Sequence, residues 1–563
     1  MRLRAGFHRL GESLRQGNAR ARVFWAAGCG ALALVVYLSN GWTIGSGDTL
    51  GARYLPASIV HEFDLDLDEF PDLWREGLPY WAVRLGGRVY SAYPMMPGVL
   101  GVPVHLAAHL FGDADCAASL EVQEKVTASL LTAGSVGVMF LVLRGVASGP
   151  VALALCLVYA FCTSTFSVSA QALWQHGPSQ FFLSLALLVL FRGRRGGRVW
   201  PAGAALGMAV LCRPANLVPA VFITTYVLAS RRREALSYVL AALPFAAIYL
   251  AFCSLYGSIY GGYVYLRPPG GVRVGNVAVS LAGLLISPSR GLFVYSPVLL
   301  LSLYGLWLRV VVEREKLWLA LGGAVVVGVF LPAKVTYWWG GHSFGPRLLA
   351  DLVPLFVLLL VPWARLAIVE RRTWALAPFV LLAAASFVFH WVGAFSVEPY
   401  KWNDNPEINT HVCRLWDWRD SQLLSAFRKR PDVLAFDSAI RSVGVREADP
   451  RATYRWTRGL EARDGPVSAS VPLSLKLNRL HQITIRWRSN ASRATVSVVA
   501  DGRELARMHL GPTDGRYAER AMRFEVGGEH GHLPATMVIN VEAGTVWLDT
   551  AVFRRLGKLR RFD

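Results

Sequence analysis

Charged side chains are scarce in this sequence. Asp, Glu, Lys and Arg make up 17% of its 563 residues, where soluble chains carry about 25%. An ordinary water-soluble globule is therefore excluded. Cysteine is sparse as well: there are seven, and no two stand as a CxxC pair. Cys29, Cys156, Cys162, Cys212 and Cys253 fall inside or beside apolar runs, where a thiol behaves as a small hydrophobe. That excludes a disulfide framework and a Cys-based zinc module. No GxGxxG opens a strand–helix unit, so a dinucleotide fold is excluded. Long internal repeats and low-complexity tracts are also missing.

What is present is apolar sequence. Hydrophobic residues reach 54%, arranged in recurrent runs near the ~20 residues that cross a bilayer. The net charge of +20 fits the Lys/Arg excess at cytoplasmic span ends better than a nucleic-acid footprint, and no nucleic-acid partner is expected. The basic N-terminus, residues 1–22, holds six Arg and one acid, Glu12. It is read as cytoplasmic, ahead of an uncleaved first span at about 23–40.

Eleven crossings are expected, at about 23–40, 126–143, 150–169, 179–191, 199–212, 217–230, 236–256, 291–309, 317–333, 350–369 and 374–396. This count places "RGRRGGR", "RRRE", "EREK" and "ERR" together on the inside. Residues 93–111, with Pro97 and Pro103, read as an interfacial helix in a long first external loop, 41–124. Residues 257–290 and everything from 397 on are external in this reading. The segment 397–465 is a helical or irregular linker, with helix-compatible spacing in "RLWDWRDSQLLSAF". In 466–563, period-two alternation punctuated by "DG" and "GG" predicts a β-sandwich. Trp456, Trp487 and Trp547 are available for carbohydrate, with Trp547, among apolar neighbours, reading rather as core; a structural or acceptor-docking module is an equal alternative. The fold class is mainly α, a polytopic helical membrane domain at 23–396 with a C-terminal external β-sandwich.

Three regions carry candidate chemistry. In "SNGWTIGSGDTLGARYLPAS", Asp48 lies among Gly45, Gly47 and Gly51, with Arg53 five residues on. A carboxylate there suits a general base for an acceptor hydroxyl, and Arg53 suits a phosphate; a solvated turn or helix cap is the plain alternative. In "HEFDLDLDEF", Asp64, Asp66 and Asp68 alternate and would share one face of a strand, as a metal cluster or, more simply, a solvated acidic face. The third region is a set of external turns. It offers Trp174 and His176, then Arg290, then Lys334, Trp338, Trp339, His342 and Arg347 in "LPAKVTYWWGGHSFGPRLLADLVP". Interfacial anchoring accounts for tryptophans and cations at span ends. Lys334 and Arg347, however, stand on the side where basic excess is not expected. Arg347 follows a proline at a helix start, which is itself an anion site.

With those residues in view, "WWGGHSFGPRLLADLVPLF", the first loop with Asp48, and "YPMMPGVLGVPVHLAAHLFG" resemble the GT-C superfamily, in particular the bacterial protein O-mannosyltransferase and aminoarabinose-transferase type, over residues 20–396. The resemblance implies an integral enzyme of the bacterial inner membrane. Such an enzyme transfers a sugar, with inversion, from a polyprenyl-phosphate donor to a lipid, glycan or protein acceptor on the external face. It implies an acidic base in the first loop, which maps onto Asp48. It also implies basic residues on the carrier phosphate, for which Arg53, Lys334 and Arg347 are the candidates. Trp174, His176, Arg290, Trp338, Trp339 and His342 are candidates for sugar or acceptor. Two departures stand out: Asp48 is followed by Thr49 rather than a second acid, and "AYPMMPG" lacks the Lys of the corresponding family segment. No metal ligand is assigned and no cofactor is required by the sequence; a divalent metal stays open. The competing classes are a transporter or flippase of lipid-linked glycans and a non-catalytic envelope assembly protein.

Overall fold

The computed structural model describes residues 18–74, 77–112, 114–194, 196–258, 276–404, 407–427, 432–433, 444–448, 456–462, 466–477, 479–514, 516–526 and 532–558. The chain divides into two compact units, Met1–Ser396 and Val397–Asp563.

The first unit is helical. Six of its described helical segments are long and apolar enough to cross a membrane: Ala19–Leu38, Ala117–Val146, Arg232–Tyr256, Lys316–Ala333, Arg347–Val369 and Thr373–Phe395. Shorter apolar helices include Gly149–Phe161, Trp200–Cys212 and Val277–Ile286. Small residues let helices approach where lipid gives no hydrophobic drive. A Cβ on Gly305 would collide with the Leu359 carbonyl, so only glycine fits that crossing. Polar anchors add direction: Tyr37 donates to the Ala160 carbonyl at 2.9 Å.

One expected span is broken up. The stretch 291–309 is not one helix but Leu292–Tyr295, Pro297–Leu301, Ser302–Leu306 and Trp307–Glu313 in succession, because Pro297 cannot continue the preceding turn. Residues 257–290, read as external, contain Val277–Ile286. Its ten residues rise only about 15 Å, half the hydrocarbon thickness.

The first loop folds around a hairpin. Strands Ala82–Leu85 and Arg88–Ser91 pair antiparallel across Gly86 and Gly87, both at positive φ, the conformation a two-residue hairpin turn requires. The acidic run 64–68 is a turn-rich loop rather than a strand, and it is solvated only in part: Asp68 is exposed and Asp64 half-buried. Asp66 is buried and pairs with Arg88 at 2.5 Å; Asp68 accepts from the Val89 amide at 2.8 Å. These carboxylates staple the hairpin. The apolar piece after it forms two short helices, Met96–Val99 and Val102–Ala108, each with proline in its first turn, where its missing N–H costs nothing.

The second unit is β-rich. One long strand, His532–Lys558, pairs along its first half with Val467–Lys476 and Arg493–Ala500, and along its second with Arg479–Ser489 and Trp456–Ala462. Alternate residues of both halves, including Ile483, Ile485, Val496, Met537, Ile539 and Val546, share one core. Trp547 is not in that core. Val546 and Leu548 take the inward positions, and period-two alternation leaves Trp547 half-buried under the Arg488 guanidinium at 4.4 Å. Trp487 is buried, donating to the Gly511 carbonyl at 3.2 Å. The side chain of Trp456 lies outside the described set. The helix-compatible stretch 414–427 forms no α-helix; two short 3-10 turns, Val412–Trp416 and Leu424–Phe427, stand there. There Arg414 stacks on Trp402 at 4.1 Å and bonds Asp420 at 2.9 Å, which folds the segment back on itself.

Candidate functional site

Asp48 sits in the first turn of the helix Gly47–His61. Ser46 takes the capping position and accepts from the Asp48 amide at 3.3 Å, so the Asp48 carboxylate is free to make tertiary contacts. The helix dipole favours negative charge at that end. Oδ2 of Asp48 meets Nη1 of Arg347 at 2.6 Å. Oδ1 accepts from the Tyr93 hydroxyl at 2.7 Å and from the Tyr80 hydroxyl at 3.1 Å. The hairpin 82–91 delivers both phenols, since Tyr80 precedes it and Tyr93 follows it. Gly47 is what lets Tyr80 close in: a side chain there would overlap the phenol.

Arg347 begins the 3-10 turn Arg347–Leu352 after Pro346. Its Nη2 donates to the Gly340 carbonyl at 2.5 Å. Its guanidinium lies 4.4 Å above the Trp174 ring, a cation–π arrangement. Its Nε is buried without a hydrogen-bond partner among the described residues. The Asp48 and Arg347 side chains are 13% and 11% exposed, so the pair is largely shielded yet reachable. Burial pushes the Asp48 carboxyl up, but Arg347 beside it and the two phenols outweigh burial and hold it below the usual carboxylate value. In this resting arrangement Asp48 is ionised and clamped.

The other sequence candidates fall into distinct places. Arg53 faces Glu124 at 2.5 Å and Glu121 at 3.7 Å. It ties Gly47–His61 to Ala117–Val146 and is already neutralised by acids. Glu124 also accepts from the Leu173 amide at 3.1 Å, which fixes the turn presenting Trp174. His176 is buried beside Asp351 at 3.2 Å. Asp351 in turn holds Arg213 at 2.6 Å and accepts from Ser179 at 2.7 Å. Arg290 is buried and donates to the carbonyls of Trp339 at 2.9 Å and Gly341 at 3.1 Å. It therefore shapes the turn before Arg347. Trp338 and Trp339 are buried, and His342 is half-buried in the same turn. Gly340 and Gly341 both take positive φ there. Lys334 is exposed at the end of Lys316–Ala333. Its side chain makes no hydrogen bond or ion pair among the described residues.

The structure thus brings together Asp48, Arg347 and Trp174, with Arg290 and the tryptophan turn as scaffold. Tyr80, Tyr93, Glu124 and Asp351 were not singled out from sequence. Asp351 carried a signal, an acid inside an apolar run. The phenols carried one only through the "GG" hairpin between them.

No family model matches the chain, and no curated protein matches it. Among solved structures, it resembles the oligosaccharyltransferase of Archaeoglobus fulgidus tethered with an acceptor peptide containing the NVT sequon, at 14% identity and a TM-score of 0.44, covering 70% of this chain and 59% of that one. The apo form gives 14% identity and a TM-score of 0.42, covering 70% and 60%. A carbohydrate-binding module of lichenase 5A from Cellvibrio mixtus, in complex with cellotriose, overlaps 21% of this chain and 89% of its own, at 11% identity and a TM-score of 0.17. The chain spans less than two-thirds of the length of the oligosaccharyltransferase. Overlaps of this depth assign no function.

Proposed function

We propose that this chain is a membrane glycosyltransferase of GT-C type that takes a sugar from a polyprenyl-phosphate donor at the external face of a bacterial inner membrane. The acceptor is a hydroxyl of a lipid, glycan or protein. One observation carries the reading: a first-loop carboxylate and an arginine 299 positions away meet at 2.6 Å, beside an indole face, outside the long apolar helices' interiors. The eleven-span topology, with the N-terminus inside and a C-terminal β-sandwich outside, belongs to the same proposal.

The chemistry needs little more than this. The acceptor oxygen attacks the anomeric carbon as the C1–O bond to phosphate breaks. The polyprenyl phosphate leaves with the electron pair, and the acceptor proton goes to an Asp48 oxygen. A single displacement inverts the centre. Clamped by Arg347, Asp48 is a weak base, and bases work best with a pKa near the operating pH. A donor phosphate competing for Arg347 resolves this. The guanidinium turns to the phosphate, where it stabilises the charge that grows on the leaving group. Asp48, losing its cation while staying buried, becomes more basic as the donor arrives. Trp174 keeps Arg347 within reach of both partners.

The test is transfer from a polyprenyl-phosphate sugar in membranes containing wild type or Asp48→Asn. Turnover should fall about 100- to 10,000-fold, the usual weight of a general base. Undiminished transfer by the variant removes Asp48 as base.

A further inference from the structure

At the far end of the same helix lies a second constellation. His61 closes Gly47–His61, His105 stands on Val102–Ala108 with His109 directly after it, and Asp115 precedes Ala117–Val146. One donor atom from each of the four lies within 4.8 Å of all the others. We propose that His61, His105, His109 and Asp115 form a zinc site that cross-links the first loop, holding the end of Gly47–His61 and Val102–Ala108 against the start of Ala117–Val146.

Three of the donor-to-donor distances are close to the edges of a zinc tetrahedron. Nε2 of His61 is 3.0 Å from Oδ1 of Asp115, and Nε2 of His105 is 3.5 Å from the same oxygen. Nε2 of His109 is 3.3 Å from Nε2 of His105. Tetrahedral zinc with bonds of about 2.0–2.1 Å has ligand-to-ligand edges of about 3.3 Å.

A second observation concerns the tautomer. His105 is fully buried, and its Nδ1 faces the Gln123 side-chain oxygen at 2.8 Å. Gln123 cannot be turned round, because its NH2 donates to the Ala114 carbonyl at 2.7 Å and to Ser119 at 3.0 Å. Nδ1 of neutral His105 must therefore carry the proton, and the bare lone pair of Nε2 points into the cluster. A ligand histidine with its far nitrogen held by an amide oxygen is the arrangement that orients a metal ligand. Four protein ligands leave no open position, which makes this a structural site. It is also separate from the Asp48 centre: thirteen residues of helix put about 20 Å between His61 and Asp48. HxxxH at 105–109 was the only sequence trace, and the other two ligands lie 44 positions before and 6 after that pair.

The experiment uses the full chain, purified in detergent without a histidine tag, stripped with chelator and titrated with zinc or cobalt(II). One equivalent should bind. Cobalt should give the intense visible bands of a four-coordinate site, and zinc should raise the midpoint of thermal unfolding. His105→Asn combined with His109→Gln should abolish the cobalt bands. Gln123→Leu, which leaves every ligand in place, should weaken zinc about 10- to 100-fold. Asp48→Asn should bind zinc as wild type does, which separates this site from the transferase reading. Absence of stoichiometric binding by a folded wild-type chain overturns the proposal, as do cobalt bands that survive the double histidine variant.

Discussion

Replacing Arg347 with alanine tests the shielded ion pair most sharply. Both side chains are nearly enclosed, and the contact is 2.6 Å. Removing one partner of a buried pair costs about 3–5 kcal/mol, mostly because the other charge is stranded. Here Asp48 keeps hydrogen bonds from Tyr93 and Tyr80 and some exposure, so the loss should sit at the low end, about 3 kcal/mol. Arg347→Ala with Asp48→Asn removes the stranded charge and should recover about 2 kcal/mol of that as coupling energy. Denaturant titration in micelles reads all four corners of the cycle. The sign with pH is also set. In wild type the Asp48 carboxyl is depressed, so its contribution is present above the unfolded carboxylate pKa and is lost as pH falls through the folded value. In Arg347→Ala burial dominates, the carboxyl rises above its unfolded value, and the destabilisation shrinks on acidification. Additivity within about 0.5 kcal/mol, or a deficit that grows at low pH, would mean that the two side chains are not coupled as a shielded ion pair.

Further outcomes follow from the phenols on Asp48 and from the Asp351 cluster. Tyr93→Phe removes a 2.7 Å hydrogen bond to a carboxylate from a buried phenol and should cost about 1.5–3 kcal/mol. Tyr80→Phe should cost less, since that phenol is exposed and its bond is longer, and both should shift the acid limb of the stability profile upward. Asp351→Asn strands Arg213 beside His176; a loss of about 3–5 kcal/mol, seen as an earlier melting transition with no change in zinc binding, is expected.

Much of the helical unit could be read from apolar runs and their basic ends. The expected 217–230 and 317–333 differ from Leu217–Ser230 and Lys316–Ala333 by at most one residue. Periodicity failed where tertiary contacts decide. Pro297 divides 291–309, and Arg414 folds 412–427 around Trp402. Trp547 looked like core among apolar neighbours, but one residue of register puts it on the outer face. The convergence of Asp48 and Arg347 could be anticipated only as chemistry that belongs together. The phenols on Asp48 could not, because they depend on a hairpin whose short strands carry little pattern beyond "GG". Arg53 shows the converse: a cation suited to phosphate in isolation is occupied by Glu124, an acid whose position relative to it no local pattern reveals.

Competition between Asp48 and a donor phosphate for Arg347 is read most directly from donor binding by wild type and Asp48→Asn, alongside transfer by each. Asp48→Asn should bind a polyprenyl-phosphate sugar at least as tightly as wild type while transfer collapses. Weaker donor binding by Asp48→Asn, or transfer that survives the substitution, would rule that competition out.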